Sequence, residues 1–300
     1  MKKATIAAAL LCWALPLAAR TPSVEVTARN TADNSLVFDA AVEGYGTFTV
    51  RLNVTDIRNH AGDSTATVTV AVGSEGGELY ALAPQDASRP VEADFAWDWI
   101  NGKLDAVPDL GLVYRLPLAA GRSTVVHSLT PAEAGIMRGN IVGFRMWEFT
   151  AEENEPIFAI RGGTVIEVEG YDGESGEPGG GSIVVEHADG TQARYSSLRS
   201  GSARVAPGDT VRPDTPIALA GKLRSGGHGV RIGLYRYAAN RNTAQYPSMM
   251  SQTEYINPLF MTARGSDLLA DGETVKVKTT RKLLNAEAGR KNFRQRLSER

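Results

Sequence analysis

Cysteine and histidine are almost missing from this 300-residue chain, which holds one Cys (Cys12) and four His. One thiol excludes an intramolecular disulfide and a thiolate metal cluster, and four imidazoles leave little from which to build a histidine metal site. No apolar run reaches the ~20 residues that a membrane-spanning helix requires. Compositional bias is absent too: with 42% hydrophobic and 22% charged residues, and 31 Gly against 14 Pro, the chain is neither collagen-like nor disordered throughout. The net charge of −2 gives no basis for expecting a nucleic-acid partner. What is there suits two compact domains or one large one.

The two ends are distinctive. Lys2 and Lys3 precede an apolar stretch over residues 4–17 that closes on Ala18 and Ala19, before Arg20, Thr21 and Pro22 stop it. This is the pattern of a secretory signal peptide over residues 1–19, so export to a periplasm or the extracellular space is expected. Cys12 lies inside the run behind Leu10 and Leu11, where a lipidation signal would want a small residue. At the other end, the last 25 residues contain nine Lys/Arg and two Glu. This +7 tail reads as a solvated helix, with contact to an anionic envelope surface as the sharper expectation.

Between the ends the pattern is that of an all-β protein. Val24, Val26 and Ala28, then Phe38, Ala40 and Val42, then Phe48, Val50, Leu52 and Val54, then Val68, Val70 and Val72 alternate with period two, as half-buried strands do. Turn residues such as Asn34, Gly44, Gly46, Gly62 and Gly76 punctuate them at roughly ten-residue spacing, which predicts an immunoglobulin-like β-sandwich over residues 22–110. Phe95, Trp97 and Trp99 are expected to cover an apolar face where this domain meets the next. His60, in a turn-like stretch, is read as solvated. Residues 111–262 are strand-rich as well, with glycine-rich loops at Gly162-Gly163 and over residues 173–181, and residues 263–300 form a C-terminal extension with a short strand near Thr274.

The second half carries a family resemblance. Residues 154–165, Asn154-Glu155-Pro156-Ile157-Phe158-Ala159 through Gly163-Thr164-Val165, resemble the G-T-P-V-x-A-x-x-x-G-x-V block of the lysostaphin-type, or LytM-domain, zinc endopeptidases of peptidoglycan. Ile183-Val184-Val185-Glu186-His187-Ala188-Asp189-Gly190 resembles that family's I-x-I-x-H-x-D-G, Tyr195-Ser196-Ser197-Leu198 its Y-x-H-L, and Val205 through Val211 its V-x-x-G-D-x-V. The resemblance covers about 110 residues and implies the family's β-sheet domain with its duplicated hybrid motif. The Val205–Val211 segment also resembles biotinyl and lipoyl carrier domains, but Lys222 lacks the hairpin-tip setting that a carrier lysine needs.

In that family two histidines and an aspartate hold zinc, which polarises the scissile carbonyl and activates water, while two further histidines assist. Those positions are altered here. The aspartate position falls on Glu148 and the histidine four residues earlier on Phe144. The assisting histidine of Y-x-H-L falls on Ser197. In the last motif strand, Val230, Ile232 and Leu234 must face the core, so Gly229 and Arg231 occupy the two remaining histidine positions. His187 matches a non-ligand position and His127 lies upstream; both are read as structural. The expectation is therefore a degenerate member with no zinc, with Arg231 and Glu148 forming an ion pair across the former metal site. Glu148, Tyr195, Ser197, Arg231 and Tyr235 are expected to line the groove. By the resemblance, such a member acts as a peptidoglycan-binding or hydrolase-regulating module, with peptidoglycan or a cell-wall hydrolase as partner. The alternatives are an active endopeptidase with substituted ligands and a structural envelope protein that uses the fold as a spacer.

Overall fold

A computed structural model describes residues 21–136, 139–170 and 180–278. The expected signal peptide, nearly all of the 173–181 loop and most of the basic tail lie outside the described residues. Within them the protein is all-β and no helix forms.

The first domain is a sandwich of two three-stranded sheets. One contains Ser23–Asn30, Leu36–Glu43 and Gly77–Leu82; the other places Phe48–Arg58 between Ala66–Val72 and Glu92–Asn101. The period-two alternation accounts for the layering, because Phe48, Val50, Leu52 and Val54 are at most 1% exposed and face Val24, Val26, Phe38 and Ala40 across the sandwich. Six strands form it, and they end at Asn101 rather than near residue 110. Phe95 and Trp99 were expected on the face where the domains meet. They pack into the sandwich core, Phe95 edge-on to Phe38 at 5.2 Å and Trp99 against Phe48 at 5.7 Å. Trp97 closes the sandwich at its side, its Nε1 donating to the Val24 carbonyl at 3.1 Å.

The second domain is built on a long sheet in which Gly163–Glu169, Gly181–Glu186, Gln192–Leu198, His228–Ala239, Met146–Ala151, Ser123–Leu129 and Thr274–Lys276 are successive neighbours. One face carries the core: Trp147, Phe149, Ile183, Val185, Tyr195, Val230, Ile232 and Leu234, together with Ile157 and Phe260 from the flanking strands. Val275 and Val277, from the C-terminal extension, are at most 2% exposed within that core.

The domains are joined closely. The turn between Leu36–Glu43 and Phe48–Arg58 reaches the second domain, where the Thr47 N–H donates to Glu186 Oε2 at 2.8 Å. Gly46 makes this approach possible, since its φ is +85° and a Cβ there would lie 2.2 Å from the same oxygen. Gln192 Nε2 donates to the Asn101 carbonyl, and Arg236 Nη1 to that of Ala106.

Candidate functional site

Strand register brings together residues that the sequence resemblance aligns with metal ligands. Ser196 pairs with Arg231, Arg231 with Glu148, and Glu148 with His127, which places these four residues in one row across four strands. Directly opposed residues in antiparallel strands share a face. Trp147 and Phe149 beside Glu148, and Val230 and Ile232 beside Arg231, all enter the core, so the row projects to the opposite side.

Glu148 is 0% exposed and Arg231 only 7%. Arg231 Nε donates to Glu148 Oε2 at 2.9 Å, the ion pair expected from the sequence. The hydroxyl of Ser225 donates to the other carboxylate oxygen, and Arg231 Nη1 donates to the Glu133 carbonyl at 3.1 Å. A carboxylate taken out of water must have its oxygens satisfied, and here both are. Two local turns supply the extra partners. Gly226 and Gly227 both take positive φ, closing the turn that carries Ser225. On the other side, the Thr130 N–H and hydroxyl each donate to Glu133 Oε2 at 2.7 Å, and the Ala134 N–H donates to the Thr130 carbonyl. These bonds fix the Glu133 carbonyl over the guanidinium and hold the Glu133 carboxyl below its ordinary pKa, the Thr130 N–H being the main cause.

The other expected site residues divide. Gly229 pairs with Thr150, two residues along the strand from Arg231. A Cβ there would lie 2.1 Å from the Phe149 carbonyl oxygen and 2.8 Å from Leu223 Cδ1, so the position has no room for a side chain. Phe144 packs on the ring of Tyr255 at 4.9 Å. Ser197 is buried at φ 58°, at a register shift between Gln192–Leu198 and Gly181–Glu186, next to Ser196 of the row. Tyr195 does not line a groove. It is 0% exposed on the core face, its hydroxyl accepts the Ile160 N–H at 2.8 Å, and burial pushes its pKa up. Tyr235 shares the face of Arg231 but is covered, with Tyr255 against its ring at 5.9 Å and 6% of its surface exposed. The five groove residues thus form no open groove, because Glu148, Arg231, Ser197 and Tyr235 are buried along with Tyr195.

Three further histidines have these contacts. His60 Nδ1 bonds the Ala83 carbonyl, and His127 Nδ1 lies 3.8 Å from Asp271 Oδ1. His187 Nδ1 bonds the Gly162 carbonyl at 3.0 Å, and burial pushes its pKa down to about 4, with the nearby Arg161 charge adding to the effect. Beside it, burial pushes the Asp189 carboxyl up, but hydrogen bonds from Thr191 and Arg161 outweigh this and hold it at about 2.

This donor set does not fit zinc. A protein zinc site needs three or four N, O or S ligands around the ion. Here one carboxylate is already saturated, a guanidinium stands at a ligand position and repels a cation, and Gly229 and Phe144 offer no donor. Among the described residues, no group of three or more His, Cys, Asp or Glu side chains is placed to hold a metal ion. Ser196, Ser225 and the Glu133 carbonyl were not foreseen from sequence. Ser225 has a weak signal in the Ser-Gly-Gly that precedes the last motif strand, whereas a backbone carbonyl has none.

Residues 145–244 match the family model of peptidase family M23. Over this stretch the chain is similar to the peptidases of that family. Among solved structures, a zinc-containing peptidase from Vibrio cholerae is 14% identical, with 70% of this chain and 81% of that one covered and a TM-score of 0.32. Csd3 from Helicobacter pylori is 11% identical, with 91% and 83% covered and a TM-score of 0.31. Comparison with curated proteins found no match.

Proposed function

We propose that the protein is an exported, catalytically inactive LytM-type domain protein that acts in the cell envelope as a peptidoglycan-binding or hydrolase-regulating module, without zinc. One observation carries the reading: Glu148 and Arg231, at positions that the sequence resemblance aligns with the peptidase's metal ligands, form an ion pair closed by Ser225 and the Glu133 carbonyl. Water activation needs an open coordination position on a metal, and a saturated ion pair offers neither the ligands nor the opening. Because that pair is buried, partner contact falls to the outer surface of the domains and to the charged segments rather than to a substrate groove.

The test combines metal binding and cleavage with capture. Full-length mature protein is titrated with zinc by calorimetry, incubated with purified sacculi, and used as bait for sacculi and, separately, for envelope amidases. The reading expects no stoichiometric zinc, no released muropeptides, and retention of either sacculi or an amidase. One zinc per chain together with muropeptide release overturns it, and so does failure to retain either class of partner.

A further inference from the structure

At the junction between the two domains lies an open cleft of about 580 Å³, and neither Glu148 nor Arg231 lines it. Its wall is composite. Gly46 and Thr47 come from the sandwich turn, Lys103 from the connecting segment, and Gly163, Glu186 and Thr210 from the LytM-type domain. The volume lies in the range of small-molecule sites, which favour domain interfaces.

The charges in that wall are arranged differently from those at Glu148. Glu186 is 7% exposed, and it is hydrogen-bonded by Thr47 of the other domain, through the backbone N–H at 2.8 Å and through the side chain. Among the described residues neither Glu186 nor Lys103 takes part in an ion pair within 4.0 Å; the two influence each other only at longer range. Burial raises the Glu186 pKa, with the Thr47 bond and the Lys103 charge opposing it. A buried carboxylate without a counter-ion is unfavourable, and evolution commonly removes it by pairing or by substitution. Here an anion and a cation instead face one cavity without closing on each other. A ligand carrying an ammonium and a carboxylate a few ångströms apart can satisfy both at once, the ammonium at Glu186 and the carboxylate at Lys103. A singly charged ligand leaves one of them unmet.

We propose that this interdomain cavity is a binding site for a small zwitterion of the amino-acid or dipeptide class, held by Glu186 and Lys103. Because Glu186 is tied to Thr47 of the sandwich, occupancy also strengthens the joint between the two domains. The proposal is independent of whether the LytM-type domain is catalytic.

Thermal unfolding of the full-length mature protein provides the test, with glycine, L-alanine, D-alanine and the dipeptide Ala-Ala as probes and acetate and methylamine as singly charged controls. At least one zwitterion is expected to raise Tm by about 3 °C or more at saturation, with neither control doing so. Glu186→Gln retains an acceptor for the Thr47 N–H, and Lys103→Met changes an exposed side chain, so both variants are expected to fold. Each should reduce the zwitterion-induced shift at least about tenfold in apparent affinity. No shift with any of the four zwitterions overturns the proposal, as does a shift that acetate or methylamine reproduces or that both variants retain.

Discussion

Glu148 and Glu186 are two buried glutamates of one sheet in opposite electrostatic situations. Glu148 meets a guanidinium and a hydroxyl and is sealed from solvent, whereas Glu186 meets only uncharged Thr47 donors and a cleft. The difference arises from what lies across from each residue. Glu148 is opposed by Arg231 on the adjacent strand, which supplies a fixed cation at hydrogen-bonding distance. Glu186 is opposed by Thr164 and Gln192, neither of which carries charge, and the donors to its carboxylate come from Thr47 of the other domain. A buried carboxylate therefore marks a closed structural pair in one place and an unmet charge in another, and residue type alone does not tell them apart.

The comparison breaks most severely when Glu148 is turned into a second unpaired carboxylate. Arg231→Met is expected to destabilise the protein by about 3–5 kcal/mol, because the carboxylate stays buried without its cation. The double variant Arg231→Met/Glu148→Leu should recover most of that loss, and denaturant unfolding of the two single variants and the double measures the coupling. Losses that simply add would show that the pair is not a unit.

A smaller effect belongs to the cavity wall, where His187 adjoins Glu186. Its folded pKa of about 4 lies below the ordinary value of 6.5, so the folded state keeps it neutral where the unfolded chain binds a proton. Its contribution is fully present above pH 6.5 and is lost as pH falls toward 4, by up to roughly 3 kcal/mol. Stability measured from pH 7 to 4 should therefore decline, and His187→Gln should flatten the decline. An unchanged slope in the variant would assign it to other groups.

The smallest effect sharpens the closed side. Gly229→Ala forces a methyl against the Phe149 carbonyl and Leu223 and is expected to cost about 1–3 kcal/mol. Urea midpoints of the variant and wild type check it, and a neutral substitution would mean that the two strands can separate without penalty.

Much of the LytM-type domain was legible in the chain because its motif residues are also its strand residues. The alternation of Val230, Ile232 and Leu234 fixes which side Arg231 takes, and one strand's parity is a local property. For Tyr195 the motif gave the residue but not its direction. Its hydroxyl is engaged by the Ile160 N–H from a segment 35 residues away, and no local pattern encodes that contact. For Phe95 and Trp99 the sequence likewise showed apolar side chains but not the Phe38 and Phe48 rings against which they pack.

The amino-acid sequence by itself determined that this is an all-β chain, and its resemblance to the LytM family aligns Phe144, Ser197, Gly229 and Arg231 with that family's histidines, because strand period and side-chain chemistry are written residue by residue. Tertiary structure alone decided that Glu148 is sealed and Glu186 is not. Whether a buried charge is satisfied depends on partners brought from distant segments, Ser225 and Glu133 in one case and the Thr47 turn of another domain in the other.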